Sequence, residues 1–266
     1  MEKLFDSHAH YTDRRFESEY PGGADALLAE IMPAEVGWIV NVSTNIQNAA
    51  EVVAQSARYT GMYAAVGIHP EDIKPGMVLE DEMASLRSLL GSAGEKKIVA
   101  LGEIGLDYHW QPLDKEAQHR YFDAQMSLAA EFDLPVIIHD REAHGDILDM
   151  LRRYRGVRGV LHSFSGSPEM AREVTALGWY ISFSGVLTFK NARKTLEAAV
   201  AVPRDRILIE TDAPYLAPHP YRGQLNHSGL MRLTAGKLGE LLGLDTDEAV
   251  RLTCSNAATL FGIKIV

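Results

Sequence analysis

Cysteine is almost absent: Cys254 stands alone in 266 residues, so no disulfide can form within the chain. None is needed, because a chain of this length buries roughly three-quarters of its unfolded surface. A lone thiol fits a reducing compartment, and a cytoplasmic location is the expectation. No run approaches the ~18 apolar residues of a membrane span, so no membrane association is expected. The opening MEKLFDSHAHYTD is charged almost at once, with no apolar stretch of the signal-peptide kind. Linkers rich in Ser, Gly or Pro, low-complexity tracts and tandem repeats are missing too, which points to one domain over 1–266. Basic residues are outnumbered, 26 Lys and Arg against 36 Asp and Glu, for a formal charge of −10. That excludes coating nucleic acid through bulk charge, but not a nuclease that meets phosphate with a few local cations.

What the chain does have is alternation. Short apolar or β-branched runs at 4–7, 38–42, 63–67, 98–102, 136–138, 159–161, 180–183 and 207–209 read as strands. Amphipathic segments lie between them, such as ADALLAEIM, QNAAEVVAQSARY, DKEAQHRYFDAQMSLAAEF and AHGDILDMLRRY. After the last strand, SGLMRLTAGKLGELLG, DTDEAVRLTC and SNAATLFG read as three closing helical segments. Eight strand–helix units in this length match an α/β (β/α)₈ TIM barrel. Periodicity alone also allows an open doubly wound sheet.

Position carries the strongest signal. The strand runs end in residues able to bind a metal or move a proton: Asp6-Ser7-His8-Ala9-His10, His69, Glu103 through Asp107, His139-Asp140-Arg141, His162, and Glu210-Thr211-Asp212. In a barrel these ends meet on one face, where active sites of this fold sit. His8 and His10, two apart on an extended segment, project from the same side. Singly, each has a bland reading: a core histidine for His139 or His162, a salt-bridged carboxylate for Glu103, an N-cap for Asp212. Jointly they point to a metal site.

The motifs D-S-H-A-H, G-I-H-P, G-E-I-G-L-D-Y, I-H-D-R, H-S-F-S-G, I-E-T-D-A-P-Y-L and the late N-A-A-T-L-F resemble those of the TatD family of metal-dependent hydrolases, in order and spacing along nearly the whole chain. The family is amidohydrolase-like. The resemblance implies a barrel, a centre of two divalent metal ions and deoxyribonuclease activity. By motif it maps metal ligation onto His8, His10, Glu103, His139, His162 and Asp212, with Glu103 bridging. One stretch departs from the pattern. The family's R-G-K-x-N-x-P is replaced by Arg222-Gly223-Gln224-Leu225-Asn226-His227-Ser228, which puts the substrate contacts of that loop in question.

The residue types allow a mechanism. Two ions sharing a carboxylate sit about 3.5–4 Å apart and can clamp the oxygens of a phosphodiester, while lowering the pKa of a water. Glu103 and Asp212 are then the catalytic carboxylates, with Asp212 taking the proton of that water. Imidazole ligands favour zinc or manganese over magnesium, whereas the family is usually assayed with magnesium or manganese, so zinc, manganese and magnesium all remain open. His69, Tyr108, Arg141 and Arg222 are candidate substrate contacts, each with an alternative as a buried partner or a solvated charge. Lys190 also lies on the strand-end side. The denser run Arg152, Arg153, Arg155, Arg158 ends a helix and precedes the sixth strand, so it falls on the opposite face. The expected substrate is DNA, with RNA as the alternative, attacked at single-stranded ends, with no obligate protein partner. The alternatives are another ester or amide on the same centre (a D-aminoacyl-tRNA, a lactone, a small amide) and an idle metal-binding scaffold. The scaffold reading predicts a lost ligand, and none is missing.

Overall fold

The computed structural model describes residues 2–111 and 114–265. Eight parallel strands follow one another around a single sheet in chain order: β1 (Leu4–Ala9), β2 (Val36–Val42), β3 (Met62–Val66), β4 (Ile98–Asp107), β5 (Val136–Arg141), β6 (Gly159–Leu161), β7 (Tyr180–Phe183) and β8 (Ile207–Ile209). An open doubly wound sheet would reverse its strand order part-way, and here the order runs straight through. The ends meet just beyond β8: Ala9 bridges Ala213, the Asp212 amide donates to the His8 carbonyl at 3.0 Å, and Ser7 Oγ donates to the Ile209 carbonyl at 3.0 Å. The architecture is the (β/α)₈ barrel.

The outer layer consists of α1 (Arg14–Glu19), α2 (Gly23–Ala34), α3 (Ile46–Arg58), α4 (Leu79–Leu90), α5 (Lys115–Phe132), α6 (His144–Arg153), α7 (Pro168–Ala176), α8 (Arg193–Ala201), α9 (Met231–Leu242) and α10 (Thr246–Phe261). Their starts are written in side chains. Asn45 and Asn48 form a reciprocal capping box on α3, Asp245 and Glu248 do the same on α10, and Asp114 caps α5. With helices outside and packed side chains inside, the strands are buried on both faces, and β6, β7 and β8 are buried throughout. Among the described residues no helix is long and apolar enough to cross a membrane.

Two sequence expectations need correction. The segments DTDEAVRLTC and SNAATLFG are one continuous helix, α10, not two. Ser255 and Asn256 look like a break, but the Asn256 amide donates to the Arg204 and Ile207 carbonyls at 2.7 and 2.8 Å, tying the helix under β8. β4 runs five residues past its expected end at 102. The glycines of GEIG weaken a strand pattern, yet Gly105 is what lets the strand continue. It sits opposite His139 of β5 at φ 143°, and a Cβ there would lie 2.1 Å from the His139 carbonyl oxygen.

The Arg152 and Arg153 side chains lie at the C-terminal end of α6, away from the strand C-termini, and are held by Asp149 and Glu173 and by Asp123.

Gly105→Ala should lower the stability of the metal-free protein by about 2–4 kcal/mol, from overpacking against β5 and an unfavourable φ. Gly145→Ala, in α6 with nothing within 4 Å of the new methyl, should stabilise it by up to ~1 kcal/mol. Urea unfolding reads both. An unchanged midpoint for Gly105→Ala would show that β4 and β5 need no close approach here.

Candidate metal centre

Glu103, only 3% exposed, is the hub of the strand C-terminal face. Its two oxygens look in different directions. Oε2 lies 3.4 Å from His8 Nε2 and 3.4 Å from His10 Nε2, both at the end of β1. Those two nitrogens are 2.9 Å apart, and each is 3.6 Å from Asp212 Oδ1. Oε1 faces the other way, 2.8 Å from His139 Nδ1 on β5 and 2.7 Å from His162 Nε2 after β6. His139 Nδ1 and His162 Nε2 are 3.4 Å apart. Two donor groups therefore share one carboxylate.

These spacings suit metal ions. An ion about 2.0–2.2 Å from each donor separates neighbouring donors by roughly 2.8–3.6 Å. The imidazoles are also turned the right way. His10 Nδ1–H donates to the Val42 carbonyl at 3.0 Å, His162 Nδ1–H to Glu210 Oε1 at 3.3 Å and His139 Nε2–H to Asp107 Oδ2 at 2.8 Å. An imidazole that donates from one nitrogen presents a lone pair at the other, and here each of those lone pairs faces Glu103. His8 Nδ1 is buried without a partner, so its Nε2 is that ring's one point of contact with polar groups.

The electrostatics match a site built for positive charge. Burial works against charge on Glu103, but the cationic character of His162, His69 and His8 holds its carboxyl well below the usual range. Burial likewise opposes charge on His10, yet its hydrogen bonding to the carboxylates of Asp212 and Glu103 outweighs it and lifts the imidazole to about 10. His139, buried but hydrogen-bonded to Asp107 and Glu103, rises to about 9. Burial and the neighbouring His162 push His8 down. The carboxylates thus keep positive charge close by. A divalent cation satisfies the same demand and displaces protons to do so.

Comparison with known proteins decides the family. The family model described as TatD related DNase matches residues 5–262. The chain belongs to the TatD family. It is 37% identical over 263 residues to the Bacillus subtilis protein named uncharacterized metal-dependent hydrolase YabD, covering 98% of this chain and all of that one. The crystal structure of the TatD homologue YjjV of Escherichia coli K12 superposes with a TM-score of 0.88 at 32% identity, covering 98% of each chain. A TatD family hydrolase from Entamoeba histolytica shares the fold, with a TM-score of 0.83 at 23% identity over 99% of this chain and 100% of that one. This TatD-family chain is therefore a metal-dependent hydrolase.

All six ligands mapped by motif onto the TatD pattern converge here. His69 also reaches the centre, with Nε2 3.4 Å from Glu103 Oε1. Distance alone would allow it to hold an ion with Glu103 and His139. Its other nitrogen argues otherwise: Nδ1 accepts the Glu71 amide hydrogen at 3.1 Å, so Nε2 carries the ring proton and is a donor, not a ligand. Arg141 lines the mouth beside it. Tyr108 and Arg222, expected as substrate contacts, are outside that lining. Burial and the hydrogen bond to Asp146 push the Tyr108 phenol up, and His119 bonds it as well. The Arg222 guanidinium lies over the Phe189 ring at 4.1 Å. Lys190 is exposed, also outside the lining.

Three residues of the centre carry no motif role in the sequence reading. Asp107 and Glu210 orient His139 and His162 from behind. Asp6, fully buried, accepts from Thr211 Oγ1 at 2.6 Å, from Ser228 Oγ at 2.7 Å and from the His8 amide at 3.3 Å. It thereby locks β1 to the loop that carries Asp212. All three stand among the strand-end acids, and the signal that could have found them is the need of each ligand imidazole for an acceptor behind it.

Glu103→Gln should strip metal from both groups, because a neutral amide offers neither group an anionic oxygen. Asp107→Asn should weaken binding only about 10–100-fold, by loosening His139. Equilibrium titration with manganese or zinc reads both. If Asp107→Asn lost as much metal as Glu103→Gln, the shared-carboxylate arrangement would be wrong.

Proposed function

We propose that this chain is a divalent-metal-dependent deoxyribonuclease that hydrolyses phosphodiester bonds at single-stranded ends. The observation that carries the reading is the division of Glu103 between two donor groups at the floor of an open mouth. His8, His10, Asp212 and Glu103 would hold one ion, and Glu103, His139 and His162 the other. When bound, such a pair acidifies a water and stabilises charge on phosphodiester oxygens.

The chain's own residues do the rest. Asp212 is the exposed carboxylate of the centre, with 17% of its side chain open against 4% for Glu103. Burial opposes its charge, but the imidazoles of His10, His162 and His8 hold its carboxyl low in the free protein, and a bound cation would take over that role, so it is ionised and can take the proton of the attacking water. His69 Nε2–H, fixed as a donor by the Glu71 amide, hydrogen-bonds a phosphoryl oxygen. Arg141 adds a positive charge on the same wall.

Size and charge support a strand end over a bound duplex. The mouth measures about 610 Å³, within the roughly 300–1,000 Å³ of small-ligand sites. Asp13, Glu71, Asp72, Glu103 and Asp212 line it against the single guanidinium of Arg141. The imidazoles offset part of that charge in the free protein, and divalent ions would take their place and add to that offset. Metal thus serves binding as well as chemistry.

Loaded protein should shorten end-labelled single-stranded DNA faster than it hydrolyses a D-aminoacyl-tRNA or a lactone. Asp212→Asn should cut DNA turnover about 10²–10⁴-fold while keeping most of its metal. Near-normal turnover at full occupancy would assign the proton to another acceptor. Arg141→Ala should lower kcat/KM at fixed salt, while joint Arg152→Ala and Arg153→Ala, on the far side, should leave it nearly intact. The reverse order would move the binding surface to the other end of the barrel.

A further inference from the structure

Metal ligation and proton transfer leave one part of the mouth without a role. Of the three tryptophans, Trp179 is buried and Trp38 half-buried, while Trp110 is 53% exposed. Trp110 lies beyond β4 and lines the mouth with the metal ligands. An indole is the largest apolar side chain, and leaving half of it in water forfeits burial that other parts of the fold secure.

Nor is the ring loosely placed. The Arg141 guanidinium sits over it at 5.1 Å, and the His109 ring meets it edge-on at 4.8 Å. His109 is itself tied down, through Nδ1 to Glu142 Oε1 at 2.8 Å and through its amide, which donates to Asp107 Oδ1 at 2.9 Å. The other oxygen of Asp107 orients His139. One buried carboxylate therefore sets both a metal ligand and the loop that carries the indole, and fixes their separation.

We propose that Trp110, braced by Arg141, is a stacking platform for the base of a nucleotide beside the scissile phosphate. The proposal rests on the nuclease reading and adds the means by which a strand end is held. A planar aromatic ring backed by a cation is suited to another planar ring, and every base has such a face, so the platform is indifferent to sequence. It needs an unpaired base, because a base within a duplex is already stacked on both sides. Arg141 then serves twice, holding the indole and facing the phosphate.

The test compares a single-stranded oligodeoxynucleotide with the same strand carrying tetrahydrofuran abasic residues at its terminal positions. Stacking contributes enough per base for wild-type kcat/KM to fall about tenfold to a hundredfold on the abasic strand, mainly through KM. Trp110→Ala should show the same loss on the normal strand and no further loss on the abasic one, so that the ratio between strands falls to about one. Trp110→Phe, which keeps a ring, should retain most of the ratio and guards against a failure of the alanine variant to fold. A second readout needs no turnover. A phosphorothioate strand that resists cleavage should quench indole fluorescence of the loaded wild type. It should do so much less in Trp110→Phe or when its terminal residues are abasic. If DNA is cleaved but the strand ratio survives in Trp110→Ala, the platform is refuted and the nuclease reading stands. If the loaded wild type neither binds nor cleaves either strand, the nuclease reading fails and the platform with it.

Discussion

A carboxylate buried at the floor of a barrel must be met by cations or donors, and the arrangement around Glu103 follows from that requirement. Five imidazole nitrogens, from His8, His10, His69, His139 and His162, approach its two oxygens within 3.4 Å. Four of them face it as ligands can, and the fifth faces it as a donor. The distinction is made behind the rings, by what each far nitrogen touches: a carbonyl for His10, carboxylates for His139 and His162, an amide hydrogen for His69. Distances at the front of the rings do not separate these roles, and partners at the back do.

The barrel supplies the convergence. Strand C-termini bring residues from positions 8 to 212 within reach of one another. Close backbone contacts set the fine spacing, with Gly105 against His139 and Asp6 against Thr211 and Ser228. Much of this was legible in the sequence. β6, β7 and β8 begin and end where the apolar runs do, because a strand buried on both faces is written as an unbroken apolar run. The candidate ligand set converges as the sequence places it, because each member lies at or just beyond the end of a strand. Other features were hidden for physical reasons. The glycines that end an apolar pattern in β4 are the ones that let the strand pass close to β5. Asn256 resembles a helix break but is a buried donor within one. Tyr108 and Arg222 follow strand ends and could face the mouth, yet Asp146 and Phe189 engage them elsewhere. Sequence places a residue near a strand end but does not say which neighbour claims its side chain.

The proposed nuclease role asks an acidic protein to bind a polyanionic strand. The chain carries −10 overall, and its mouth is lined by more carboxylates than guanidinium or ammonium groups, so under that proposal attraction for phosphate would come from bound cations. A site of this kind has little hold on the rest of the strand, and that makes an exposed, braced indole at its rim meaningful. Stacking grips a nucleotide without adding positive charge, and so leaves the metal centre as the place where phosphate is drawn.

The most direct measurement is an anomalous-difference map from crystals of the protein grown with manganese. The account predicts two peaks about 3.5–4 Å apart, each roughly 2.0–2.3 Å from a different oxygen of Glu103. One peak should be flanked by His8, His10 and Asp212, and the other by His139 and His162, with His69 in contact with neither. A single peak, or two peaks of which only one touches Glu103, would contradict it.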